Sequence, residues 1–116
     1  MKHNLQGVTM ASRQEIADYI TAQISGAGAV RSSKLFGEYS IYCNDKVVAL
    51  VADDQLFVKP TAAGRAYLQD LEEAPPYPGA KPCFLIPEDR WDDAPWLTEL
   101  IRITEQELPL PKKKKA

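Results

Sequence analysis

The chain predicts an α+β fold: a two-layer domain in which a five-stranded antiparallel sheet carries helices on one face, in the order α-β-β-β-β-α-β-α. Three observations predict it. Apolar residues recur at helical spacing near both ends of the chain and briefly in the middle. Between Val30 and Pro60 the pattern changes to short β-branched and aromatic runs separated by Asn44-Asp45 and Asp53-Asp54. A last short apolar run, Cys83-Phe84-Leu85-Ile86, is closed by Pro87.

The first helix is expected over about residues 12–25. Ser12-Arg13-Gln14-Glu15 has the form of a capping box, in which the hydroxyl and the carboxylate each satisfy an orphan amide. Ile16, Ala17, Ile20 and Ile24 then fall on one face, with Tyr19 and Gln23 at its flank, and Gly26-Ala27-Gly28 ends the helix. Four strands follow, around Lys34–Phe36, Tyr39–Cys43, Val47–Val51 and Leu56–Val58. Asn and Asp tolerate the left-handed conformation of tight hairpins, which makes consecutive antiparallel pairs the economical reading. Residues 47–51 are apolar at both parities, so this strand is expected to be buried on both faces.

Thr61 is placed to cap a short helix over about 62–71, whose interior Gly64 costs ~1 kcal/mol relative to Ala. Three prolines in Ala74-Pro75-Pro76-Tyr77-Pro78-Gly79 forbid helix or central strand and predict a rigid loop. After the fifth strand, Asp92 and Asp93 are expected to cap a final helix near residues 95–108. Its buried face would be Trp96, Leu97, Leu100, Ile101, Thr104 and Leu108. No internal repeat or linker divides the chain, so residues 12–108 read as one domain between a flexible leader, 1–11, and a Pro/Lys-rich tail, 109–116.

Composition excludes several classes. With 116 residues, 45% hydrophobic and 26% charged, the chain is one globular domain and too apolar to be disordered. Nothing approaches ~18 consecutive apolar residues, and the first residues lack the apolar segment of a signal peptide, so the expectation is a cytoplasmic protein without a membrane span. The formal net charge is −2. Four of the 14 cations are Lys112, Lys113, Lys114 and Lys115, which leaves ten cations against 16 anions in residues 1–111, a charge of −6. Such a body repels phosphate backbones unless its cations gather on one face. The lysine run therefore supports weak, nonspecific nucleic-acid binding at most, and otherwise reads as a solvated end.

No catalytic, cofactor or metal set can be assembled. Cys43 and Cys83 are the only cysteines and His3 the only histidine. That inventory supplies neither a zinc site nor a base for a cysteine nucleophile, and both thiols read as reduced core residues. The run Glu88-Asp89-Arg90-Trp91-Asp92-Asp93 offers oxygens for a hard cation but lacks the spacing of a calcium loop. Capping is the favoured reading.

Two segments combine cations with aromatic residues: Arg31-Ser32-Ser33-Lys34-Leu35-Phe36-Gly37-Glu38-Tyr39, and Leu56-Phe57-Val58-Lys59-Pro60. Such combinations suit partner surfaces, offering apolar area with a polar tip. The structural alternative is that Phe36 and Phe57 are core residues, Gly37 serves a tight turn and the cations are solvated.

The order of these motifs resembles the TfoX/Sxy N-terminal domain family over residues 12–108. The resemblance rests on Leu35-Phe36-Gly37-Glu38-Tyr39-Ser40-Ile41-Tyr42, on Val48-Ala49-Leu50-Val51 followed by Asp53 to Pro60, on a proline-tyrosine loop and on Phe84-Leu85-Ile86-Pro87. Ser40 stands where the family commonly has a second glycine. The resemblance implies a secretion-chaperone-like two-layer domain, a bacterial protein related to regulators of competence for DNA uptake, and no enzyme activity or cofactor. It also implies a protein partner, such as the transcription machinery or a regulator like the cyclic-AMP receptor protein.

The expected function is therefore a non-enzymatic protein-interaction and transcription-regulation module. Its candidate partner surface is Arg31, Lys34, Phe36, Gly37, Tyr39, Tyr42, Lys59 and Tyr77, and part of the second face of the sheet is expected to be a homodimer or partner contact with Arg31, Lys34 and Lys59 near its polar rim. The competing reading is a direct nucleic-acid binder that uses Arg31, Lys34, Lys59 and the lysine tail.

Overall fold

A computed structural model describes residues 13–35, 37–69 and 71–110. The leader with Ser12, the residues Phe36 and Asp70, and the lysines at 112–115 lie outside the described residues. Helix α1 (Arg13–Gln23) leads through a 3-10 turn at Ser25–Ala27 into β1 (Val30–Leu35), β2 (Glu38–Cys43), β3 (Lys46–Ala52) and β4 (Gln55–Val58). Then come α2 (Ala62–Leu68), β5 (Glu73–Ala74), β6 (Cys83–Ile86), a 3-10 turn at Glu88–Arg90 and α3 (Ala94–Glu107). Among the described residues the sheet has six strands in the order β1-β2-β3-β4-β6-β5, every pairing antiparallel. Five were expected. The extra one, β5, is two residues long, too short to leave a periodic signal beside the prolines.

Both central hairpins turn through residues with positive φ: Asn44 and Asp45 at 52° and 69°, Asp53 and Asp54 at 53° and 59°. Two successive left-handed residues match the right-handed twist of the flanking strands, and Asn and Asp pay less for that conformation than other side chains. Between Ala27 and β1, Gly28 leaves room for Asn44: a Cβ there would lie 2.8 Å from Asn44 Oδ1. Asn44 uses that space to accept a hydrogen bond from the Ala29 amide at 3.0 Å.

The helices cover one face. Ile16, Ala17, Ile20 and Ile24 of α1 pack with Leu97, Leu100 and Ile101 of α3 against Tyr39, Ile41, Val51, Leu56, Val58, Phe84 and Ile86 of the sheet. Each fully buried aliphatic side chain contributes about 1.5–3 kcal/mol, so this layer dominates stability. Tyr19 ties α1 to the α3 end of the chain through Asp92, and Gln23 Nε2 donates to the Trp91 carbonyl at 2.8 Å. Asp93 caps α3, accepting from the Trp96 amide at 3.2 Å; Asp92, expected to share that role, accepts from the Tyr19 hydroxyl. Thr61 caps α2 as expected, accepting from the Gly64 amide at 2.9 Å.

The strand expected to be buried on both faces has a different construction. Tyr42 pairs with Val47 and Ile41 with Ala49, so Val48 is an extra residue in β3. This bulge sends Val48 and Ala49, consecutive in sequence, both into the helix-side core, each fully buried. Leu50 and Ala52 turn to the other face.

Candidate functional site

The outer face of the sheet, away from the helices, holds a second and smaller apolar cluster. Ala52, Phe57 and Cys83 are buried there, with Leu50, Ala74 and Leu85 half-buried around them, and among the described residues no helix contributes to it. Register aligns its centre: Ser33, Ser40, Leu50, Phe57 and Leu85 stand side by side across five strands. Phe57 is 3% exposed, so the middle of the row is largely covered by its own neighbours.

Arg31, Tyr42, Lys59 and Tyr77 come together at one end of this face, the end where β2 turns into β3 and β4 leaves the sheet. The Arg31 guanidinium lies 3.9 Å from the centre of the Tyr42 ring, a cation–π contact. Asp45 stands 3.9 Å from Arg31, but both groups are more than half exposed, so this ion pair contributes little. Lys59 follows Phe57 by two residues and shares its face. It separates two grooves, one lined by Tyr42, Val47 and Leu108, the other by Leu50, Tyr77, Lys81 and Cys83. Lys59 is half-buried, and among the described residues no carboxylate pairs with its ammonium. Tyr77, carried on the proline loop, is 48% exposed.

Strand parity takes two expected residues away from this group. Tyr39 pairs with Val51 on the helix side, is buried, and donates from its hydroxyl to Gln14 Oε1 of α1 at 3.0 Å. Lys34 pairs with Tyr39 and so lies on the helix side of the sheet edge. Arg31 and Lys34 are three residues apart in one strand, and an odd separation puts them on opposite faces. Gly37 sits with φ +79° in the turn at the far end of the sheet, and Phe36 lies outside the described residues.

That far end is acidic. A groove of about 440 Å³ there is lined by the carboxylates of Asp54, Glu72 and Glu88 and by Leu71, Leu85 and Trp91. Sequence reasoning met Glu88 only within its acidic run and missed Asp54 and Glu72, together with Leu50, Leu85 and Lys81, because only cross-strand register assembles them.

The remaining candidates for chemistry are structural. Both cysteines are free and buried, and burial pushes both thiols above their ordinary pKa; Glu105 adds to the rise at Cys43, while Lys59 opposes it at Cys83. The hydroxyl of Tyr19 is raised to about 12 by burial and by its hydrogen bond to Asp92. Among the described residues no group of three or more His, Cys, Asp or Glu side chains is placed to hold a metal ion. Arg90, within the acidic run, stacks 4.4 Å from the Trp96 ring. Among the described residues no helix is long and apolar enough to cross a membrane.

Residues 22–108, including the whole sheet, match the sequence profile of the TfoX N-terminal domain. The chain belongs to the TfoX N-terminal domain family. This domain is also 37% identical over 107 residues, 92% of each chain, to a protein of Spirochaeta aurantia described as an uncharacterized 12.7 kDa protein in the trpE 5′ region. Within the TfoX N-terminal domain, the matched span contains every residue of both ends of the outer face.

Proposed function

We propose that this TfoX N-terminal domain is a non-enzymatic protein-interaction module of the bacterial cytoplasm, acting in transcriptional regulation, with the outer face of its sheet as the contact surface. The observation that carries the reading is Lys59: a half-buried cation without a carboxylate partner among the described residues, set between two grooves bordered by Tyr42 and Tyr77. Amphipathic aromatics beside Arg and Lys are the residue types that anchor protein contacts. Raised thiol pKa values and burial favour structural cysteines over nucleophiles. A direct nucleic-acid surface is the weaker reading, because Lys34 does not join Arg31 and Lys59 and the body of the chain is acidic.

Family membership favours a partner in the transcription machinery or a regulator like the cyclic-AMP receptor protein, with competence for DNA uptake as the regulated process. The test is transcript profiling in the source bacterium after deletion of the gene, with complementation by the wild type, Lys59→Glu or Arg102→Glu. Arg102 lies on α3, on the opposite side of the molecule, and is half exposed. The reading expects altered transcripts that the wild type and Arg102→Glu restore and Lys59→Glu does not. Unaltered transcripts, or full restoration by Lys59→Glu, contradict it.

A further inference from the structure

The proline loop between β5 and β6 is folded back onto the outer face. Pro76 is buried, and the Ala80 amide donates to the Tyr77 carbonyl at 3.1 Å across Pro78 and Gly79. Proline at the second position and glycine at the third, with φ +88°, match a type II turn. The groove of about 270 Å³ between loop and sheet therefore has rigid walls, Pro60, Pro76 and Pro82, over a floor of Leu50 and Cys83. Its cations are Lys59 and Lys81, and among the described residues no carboxylate lines it. On the other side of Lys59 lies a groove of about 390 Å³ bordered by Tyr42, Val47 and Leu108. Its own lysine, Lys46, is already held by Glu105 at 3.1 Å, and Asp45 stands 3.9 Å from Arg31. Lys59 is thus the cation between two largely apolar hollows.

We infer that this end of the outer face holds an acidic segment of a partner protein, with one side-chain carboxylate on Lys59 and an apolar side chain in the groove on either side. The inference rests on the contact-surface reading above and names the chemistry of the partner. The smaller groove falls below the roughly 300 Å³ at which small-molecule pockets begin, and Lys59 divides it from the other. Two such hollows suit single side chains of one polypeptide better than one compact ligand. A terminal carboxylate has chain on one side only, whereas a groove on each side of Lys59 calls for a carboxylate within a segment. A carboxylate on the ammonium forms a charge-assisted hydrogen bond, and walls fixed in advance lower the ordering cost of binding. A nucleic-acid strand would bring a phosphate at every nucleotide against an acidic body. A segment with one or two carboxylates meets the same lysines with little of that repulsion.

Selection of phage-displayed random dodecapeptides on the full chain tests this. Fluorescence anisotropy then measures the enriched peptides, and a single-stranded thymidine oligonucleotide, on wild type, Lys59→Arg, Lys59→Met, Lys81→Glu and Arg102→Glu. Circular dichroism checks that each variant is folded, and Lys81 is exposed, so Lys81→Glu carries the comparison if Lys59→Met is not. Enriched peptides are expected to share an acidic residue with apolar residues on both sides of it. Lys59→Met should weaken their binding about tenfold and Lys81→Glu about threefold, while Lys59→Arg and Arg102→Glu stay within about twofold of wild type. No enriched motif, a motif without an acidic residue, equal binding by the folded lysine variants, or lysine-dependent binding of the oligonucleotide alone would overturn the inference. If it is overturned while Lys59→Glu still fails to restore transcription, the contact surface stands with a different occupant. If it is overturned and Lys59→Glu restores transcription, both readings fail.

Discussion

Glu107, at the end of α3, accepts a hydrogen bond from the backbone amide of Ala63 in the first turn of α2 at 3.0 Å, and its other oxygen takes the Ala62 amide at 2.9 Å. One side chain thus satisfies two of the orphan donors of a neighbouring helix and holds the C-terminal helix to the middle of the chain. These amides lower the Glu107 pKa below its ordinary value of 4.5, and Arg65 adds to the effect. The folded chain favours the carboxylate. The contact therefore stabilises above the unfolded pKa and fades as pH falls through the lower folded value. Urea midpoints of wild type and Glu107→Ala should differ at pH 7, and the difference should shrink as pH falls into the acid range. An equal difference at both would show that the carboxylate charge is not what matters.

Gly64→Ala is expected to destabilise the fold despite the better helix propensity of alanine. A Cβ at this position would meet Thr61 Oγ1 at 2.7 Å and Phe84 Cε2 at 3.1 Å. The propensity gain of ~1 kcal/mol is outweighed by overpacking of about 1–3 kcal/mol plus damage to the Thr61 cap. Thermal unfolding measures it, and a raised midpoint would mean that α2 can shift to accommodate the methyl.

The two thiols should react slowly with a thiol reagent in the native protein and quickly once unfolded. Cys43 is fully buried and Cys83 5% exposed, so Cys83 should be the faster of the two. Burial raises both pKa values, which lowers the thiolate fraction as well as access. Rapid stoichiometric labelling without unfolding would contradict the structural role and support the nucleophile reading.

Tyr19→Phe removes the hydroxyl that links α1 to Asp92 and should cost about 1–2 kcal/mol in chemical denaturation. Because the folded pKa is raised to about 12, the contribution of Tyr19 is complete below its unfolded value and is lost as pH rises through the folded one. The tyrosine absorbance titration of the wild type should therefore contain a late component that Tyr19→Phe lacks.

Local signals made the helices, both tight turns and the helix-side core readable from sequence. Ile16, Ala17, Ile20 and Ile24 follow a period, Asn44-Asp45 and Asp53-Asp54 have turn chemistry, and Thr61 and Asp93 have capping chemistry. What escaped depends on pairing. The bulge at Val48 is invisible without the partner strand, and it mimics a strand buried on both sides. Lys34 and Tyr39 look like companions of Arg31 and Tyr42 until register assigns them to the helix side. The acidic groove joins Asp54, Glu72 and Glu88, which are separated by 18 and 16 residues and belong to three different connections. Asp92 and Asp93 are chemically equivalent as caps, and only the position of Tyr19 separates their roles.

The claim that the outer face is the contact surface is tested most directly by placing a photo-reactive benzoylphenylalanine at position 77, on the exposed loop beside Lys59, or at position 102 on α3, and irradiating living cells. The account predicts covalent protein adducts from position 77 and none from position 102. Adducts from position 102 with none from position 77 would contradict it.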